Sequence, residues 1–74
     1  MTTIRQTLNR SEGVELEEVG LRHDGQIVDR AYIVRTLRSP ENWSFKSLGE
    51  AQNRFDEEVL VCRNDPFVQK RLGR

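Results

Sequence analysis

The fold turns on one stretch: Val14-Glu15-Leu16-Glu17-Glu18-Val19-Gly20-Leu21-Arg22-His23-Asp24-Gly25-Gln26-Ile27-Val28-Asp29-Arg30-Ala31-Tyr32-Ile33-Val34-Arg35-Thr36-Leu37. Two segments rich in Val, Ile, Leu and Tyr meet at His23-Asp24-Gly25-Gln26. An Asp-Gly pair suits a type I′ turn, whose two central residues need positive φ, so an antiparallel hairpin over residues 14–37 is predicted. The turn sets the register, with Leu21 opposite Val28 and Val19 opposite Arg30. Continued unbroken, that register places Glu17 against Tyr32 and Glu15 against Val34, which puts carboxylates on an apolar face. A β-bulge at Glu17-Glu18 removes the conflict by setting Leu16 against Tyr32 and Val14 against Val34. One face then reads Val14, Leu16, Val19, Leu21, Val28, Tyr32 and Val34. The other face of the second strand carries Ile27, Asp29, Ala31, Ile33, Arg35 and Leu37, too apolar to stand wholly in water. A cover is expected from the N-terminal segment with Ile4 and Leu8, from the C-terminal segment with Phe67, Val68 and Leu72, or from a second chain.

Downstream of the hairpin, Ser39-Pro40-Glu41-Asn42 has turn composition and Trp43-Ser44-Phe45 alternates as a short third strand does. Ser47-Leu48-Gly49-Glu50 reads as a capping box, with the Ser47 hydroxyl facing an amide three residues on and Glu50 reaching back. Leu48, Ala51, Phe55, Val59 and Cys62 follow at helical spacing as a core stripe, with Glu50, Asn53, Arg54 and Glu57 outside. Val59-Leu60-Val61 also has strand propensity, so a terminal fourth strand competes with the end of the helix. Asp65 before Pro66 suits the cap and first position of a short final helix holding Phe67, Val68 and Leu72, and Lys70, Arg71 and Arg74 suit its C-terminal end. The expected architecture is α+β: one domain over residues 1–74, with a small antiparallel three-stranded sheet (hairpin 14–37 plus a short strand near 43–46). The sheet packs on one α-helix at about 47–62, a short C-terminal helix follows, and residues 1–10 form a flexible N-terminal segment.

Composition limits the function classes. A chain of 74 residues buries only about 60% of its unfolded surface, so the core is thin and a marginal monomer or a homo-oligomer is expected. The single Cys62 and single His23 are too few for a structural zinc site or a disulfide framework, so no metal or cofactor is expected. Residues 1–10 lack the apolar run of a secretory signal, and Ala31-Tyr32-Ile33-Val34 and Val59-Leu60-Val61-Cys62 fall far short of the roughly 20 residues of a membrane span. A soluble, cytoplasmic protein with a reduced thiol is the expectation.

Catalysis finds no constellation. His23 beside a hairpin turn reads as a solvated side chain, and Cys62 at the end of an apolar helical stripe reads as a buried, inert thiol. Glu17-Glu18 and Asp56-Glu57-Glu58 read as solvated faces, and no glycine cluster opens a phosphate loop. The expectation is a protein that is not an enzyme.

Two binding classes remain. On the predicted register one side of the second strand shows Arg30 and Arg38 around Tyr32 and Thr36, and a sheet face bearing Arg and aromatic residues can read nucleic acid. The order of three strands and a helix, with Ser44-Phe45-Lys46-Ser47 leading into Glu50-Ala51, resembles the arm-site-binding domains of tyrosine-type integrases over residues 19–58 in topology and spacing. That resemblance implies DNA binding through the sheet. Charge argues the other way: twelve basic residues, ten of them Arg, balance twelve acidic ones, whereas phosphate contact normally demands a basic excess. The hairpin's two-sided apolar character and the Arg-rich, mixed-charge composition fit a protein-binding module better. Small free-standing proteins of this kind are often regulators or inhibitors encoded by phages and other mobile elements. The expected partner is a protein with an acidic surface, docked on Arg30, Arg35, Arg38 and Trp43, with Ile33 and Leu37 added if their face is uncovered.

Overall fold

A computed structural model describes residues 2–74. Four strands run β1 (Thr2–Ser11), β2 (Val14–His23), β3 (Gln26–Thr36) and β4 (Ser39–Phe45), followed by helices α1 (Leu48–Arg63) and α2 (Pro66–Arg71). The strands form an antiparallel meander in the spatial order β1-β2-β3-β4. Asp24 and Gly25 take φ of 53° and 79° at the predicted hairpin turn, and Glu12 and Gly13 repeat the pattern at 52° and 78° between β1 and β2. That second turn converts Thr2–Ser11, where a flexible segment is expected, into an edge strand. The sheet therefore has four strands rather than three, and the last begins at Ser39 instead of near residue 43. Ser39-Pro40-Glu41-Asn42 lies inside β4 as an irregularity: Thr36 pairs with Ser39 but Arg35 with Asn42, leaving Pro40 and Glu41 as extra residues. Proline without an amide proton is tolerated at such a place on an edge strand.

The hairpin does carry a bulge, but in β3 and not at Glu17-Glu18. Arg22 pairs with Ile27 and Leu21 with Asp29, so Val28 is the inserted residue. Leu16 then faces Val34, Val14 faces Thr36 and Glu18 faces Tyr32. Cross-strand partners share a face, so Val14, Leu16, Tyr32 and Val34 lie together on the helix side as expected, while Val19 and Leu21 move to the opposite face with Ala31 and Ile33. Ile27, before the bulge, sits on the helix side, and its methyls lie 3.6 Å from where a Cβ on Gly20 would stand.

The core occupies one end of this platform. Val14, Leu16 and Val34 of the sheet meet Ala51, Phe55, Val59 and Cys62 of α1 and Val68 of α2, with Tyr32, Trp43, Phe45 and Leu72 packed around them. Each fully buried Val, Leu or Phe among them contributes about 1.5–3 kcal/mol. Helix α1 starts at Ser47, whose Oγ accepts from the Glu50 amide at 3.5 Å. It runs through Val59-Leu60-Val61 because Val59 and Cys62 reach the core, which rules out a fifth strand there. Leu48, predicted in the core stripe, is exposed at the helix start, and Phe67, a candidate cover for the other sheet face, is exposed in α2. Asp65 caps α2 by accepting from the Phe67 and Val68 amides at 2.9 and 3.4 Å, and Pro66 takes the first position. Helix α1 packs on β2, β3 and β4 and α2 packs on α1, so among the described residues no element covers the face opposite them.

Candidate functional site

Strands of ten and eleven residues are longer than the helical layer needs, and the surplus projects as half a sheet with no cover. Every residue from Arg22 to Arg30 is exposed, and the molecule measures 46 × 21 × 18 Å. On the helix side of this projecting half lie Ile4, Gly20, Ile27, Arg22 and Arg30; Gly20 pairs with Ile4 on one flank and Arg30 on the other. Gly20 is buried even here, beneath Ile27. Among the described residues Arg5, Arg10, Arg35, Arg38, Arg54 and Arg74 make ion pairs, whereas Arg22, Arg30, Arg63 and Arg71 make none, and of these four Arg22 and Arg30 lie on the sheet. Ile27, cross-strand partner of Arg22, is 37% exposed, and Val28, the inserted residue next to it, is 54% exposed.

The opposite face is built on charge alternation. Glu17 of β2, with only 9% of its side chain exposed although no element lies over it, bonds Arg5 of β1 at 2.8 Å and Arg35 of β3 at 3.4 Å. Arg10 bonds Glu15 at 3.0 Å, and Thr7 adds a 3.4 Å hydroxyl bond to Glu15. A carboxylate on an open sheet face is thus satisfied by guanidiniums on both neighbouring strands, a charge-assisted pairing stronger than neutral hydrogen bonds. The arginine hydrocarbon stems shield it from water. The apolar face expected to need a cover therefore closes part of itself, leaving Val19, Leu21, Ala31 and Ile33 half-buried beside the ladder.

The six residues read from sequence as a contact surface do not converge. Arg30 is exposed on the projecting half, on the helix side. Arg35 and Ile33 face the other way, Arg35 being engaged by Glu17. Arg38, in the β3–β4 turn, bonds Glu58 of α1, whose side chain is 4% exposed, and that hydrogen bond holds the guanidinium pKa above its ordinary value. Trp43 is half-buried under Arg54, whose guanidinium carbon lies 4.9 Å from the ring centroid. Leu37 sits at the far end near Gly13. Sequence reading missed Arg22 and all of β1; the Glu12-Gly13 pair before Val14 is the signal that points to the additional hairpin.

The residues weighed for chemistry lie apart. His23 is exposed, 3.4 Å from Asp24, and Cys62 is buried with its sulfur 3.1 Å from the Thr36 hydroxyl. Among the described residues no group of three or more His, Cys, Asp or Glu side chains could hold a metal ion, and no helix is long and apolar enough to cross a membrane. A cleft of about 440 Å³ opens where Val14, Gly13, Leu37 and Leu72 form an apolar floor beneath Arg10, Glu12, Glu15 and Arg74. Its charges are spent internally: Glu12 accepts from Gln69 at 2.9 Å and Arg74 at 2.6 Å, which lowers its pKa, and Arg74 is raised in return. The cleft wall is a clasp between the first turn and the end of the chain. Searches of protein-family models, curated proteins and solved structures find no match to this chain.

Proposed function

We propose that the chain is a small non-enzymatic protein-binding module that docks on an acidic partner surface through the projecting half of its sheet, occluding or bridging that surface. The observation that carries this reading is the pairing of two uncompensated guanidiniums, Arg22 and Arg30, with the exposed Ile27 and Val28 on a part of the sheet that the core does not use. Apolar area with unpaired arginine is the composition of docking surfaces, and charge complementarity selects acidic partners. Arg30 thus keeps the role expected from sequence and Arg22 joins it. Arg35 and Arg38 are held by Glu17 and Glu58, so reversing their charge disturbs the fold before it tests binding.

DNA binding through the sheet is the competing reading. The face opposite the helices offers Arg5, Arg10 and Arg35, yet Glu15 and Glu17 stand between them, and carboxylates in the middle of the face oppose a phosphate backbone. The test is photo-crosslinking in the native host with p-benzoylphenylalanine placed at Val28, and at Glu57 on the outer face of α1 as control. A discrete protein adduct at position 28, absent at 57 and lost in an Arg22→Glu/Arg30→Glu variant, is expected. Nucleic-acid adducts, or equal labelling from both positions, would overturn the proposal.

A further inference from the structure

We infer that the outer edge of β1 is a strand-addition site for an extended acidic segment of a partner protein. This deepens the docking proposed above and rests on it. The edge is open by topology: β1 is terminal in the sheet, has no proline, and is exposed along its length except at Ile4 and Ser11, which are half-buried. Its regular part, Thr2 to Thr7, precedes the bulge at Leu8 that breaks the register with β2. An unpaired strand edge offers amide and carbonyl groups that a second extended chain can satisfy, with side chains setting selectivity.

Charge identifies the occupant. Across the face opposite the helices the ladder alternates by strand: Arg35 on β3, Glu17 on β2 and Arg5 on β1. It stops at the edge on a cation whose side chain is 56% exposed. A guanidinium has five donors, and Glu17 engages Arg5 through a single nitrogen, so the outward side of the fork is free. The next strand in the alternation is acidic. Between Thr2 and Ser11 the strand bears Arg5 and Arg10 and no carboxylate. A second copy of β1 therefore offers Arg5 no carboxylate in any register, so self-pairing at this edge is disfavoured. The same arginines and the Leu8 bulge guard the edge against indiscriminate pairing.

The probe is the acetylated, amidated pentapeptide Val-Glu-Val-Glu-Val, titrated into the ¹⁵N-labelled full chain. Two comparison peptides, the Lys-for-Glu version and one N-methylated on alternate amides, accompany it, with a short DNA duplex as the nucleic-acid arm. Expected are shifts concentrated on Thr2–Thr7 with slowed exchange of the β1 amides that face away from β2. Arg5→Gln should weaken binding about tenfold, the scale of one charge-assisted hydrogen bond. The lysine and N-methylated peptides should fail. Equal binding of the N-methylated peptide, perturbation confined to Arg22, Ile27 and Arg30, preferential binding of the duplex, or dimerisation through β1 in sedimentation would each overturn strand addition. Perturbation at Arg22 and Arg30 alone leaves the docking proposal standing, whereas nucleic-acid adducts in the crosslinking experiment remove both.

Discussion

Gly13 and Gly25 occupy equivalent places in two type I′ turns, at φ of 78° and 79°, yet they do different work. A Cβ at Gly25 meets nothing within 4 Å, whereas at Gly13 it would stand 3.0 Å from Leu37 Cδ1 and 3.4 Å from Val68 Cγ1. Gly25→Ala should therefore cost only the left-handed backbone term, about 1–2 kcal/mol. Gly13→Ala should cost about 1 kcal/mol more for crowding Leu37 and the core. Urea unfolding of both variants checks the order, and Leu37→Ala in the Gly13→Ala background should recover part of the excess; equal costs would show that Leu37 yields freely. Glu58 gives a second test at this scale. Its carboxylate is buried against Arg38, and Arg54 stands 4.0 Å from its other oxygen. Glu58→Gln leaves Arg38, one-third exposed, without its counterion and should destabilise by about 1–3 kcal/mol, less than a fully buried pair because water reaches the guanidinium. Replacing both residues by Met should restore most of that loss. If the double variant is as unstable as the single, the pair acts through more than its charges.

Among the elements, the hairpin turn, α1 and the α2 cap were legible because each is specified locally: Asp24-Gly25 by its φ demand, Ser47 and Asp65 by side-chain oxygens at helix starts, and Phe55, Val59 and Cys62 by spacing. Strand β1 was not, since Thr2–Ser11 buries neither face and has only Ile4 and Leu8 as large apolar residues, so no alternation marks it. That omission moved the bulge. Without β1, Glu17 reads as a carboxylate to be turned off an apolar face; the irregularity at Val28 instead shifts the register by one, so that Glu17 lies opposite Ile33 on the face away from the helices, where Arg5 bonds it. The contact surface was hard to read for the same reason, because Arg35 and Arg38 are indistinguishable in sequence from Arg22 and Arg30, and only the fold shows which have acids beside them. The clasp of α2 against the first turn is a further element-scale device, with Glu12 bonded to both Gln69 and Arg74. These bonds lower the Glu12 pKa in the folded chain, so their stabilising contribution is present above the ordinary glutamate pKa of about 4.3 and is lost as pH falls through the folded value. On acidification the Gln69 side-chain amide resonances should shift together with the Glu12 carboxyl carbon, below the ordinary glutamate value of about 4.3. In Glu12→Gln the Gln69 signals should no longer follow pH, while Asp29, whose pKa is lowered by Lys46, titrates as before. A Glu12 carboxyl that titrates at the ordinary glutamate value would mean the clasp is open in solution.

The whole molecule divides into a packed end and a bare end of one continuous sheet. Its Cα radius of gyration, 13.9 Å, exceeds the roughly 11 Å of a compact chain of this length, as the projecting strands require. The eight buried apolar residues all belong to the packed end, so the bare end is held by ladder hydrogen bonds with little burial, the condition under which local opening becomes cheap. Native-state hydrogen exchange should therefore show a gradient along the same strands. Ladder amides around Val14, Leu16 and Val34 should open only with global unfolding, and ladder amides between Leu21 and Arg30 at distinctly lower free energy. Ile27→Lys should lower protection at the bare end further while changing global stability by no more than about 0.5 kcal/mol, as surface substitutions do. Uniform protection along β2 and β3 would contradict this division, and with it the premise that the projecting half is free of structural duty. A gradient places the docking surface on the part of the chain able to change shape when a partner binds. Partner binding should then raise protection chiefly between Leu21 and Arg30 and along β1, because ordering there offsets the openings that the bare sheet permits.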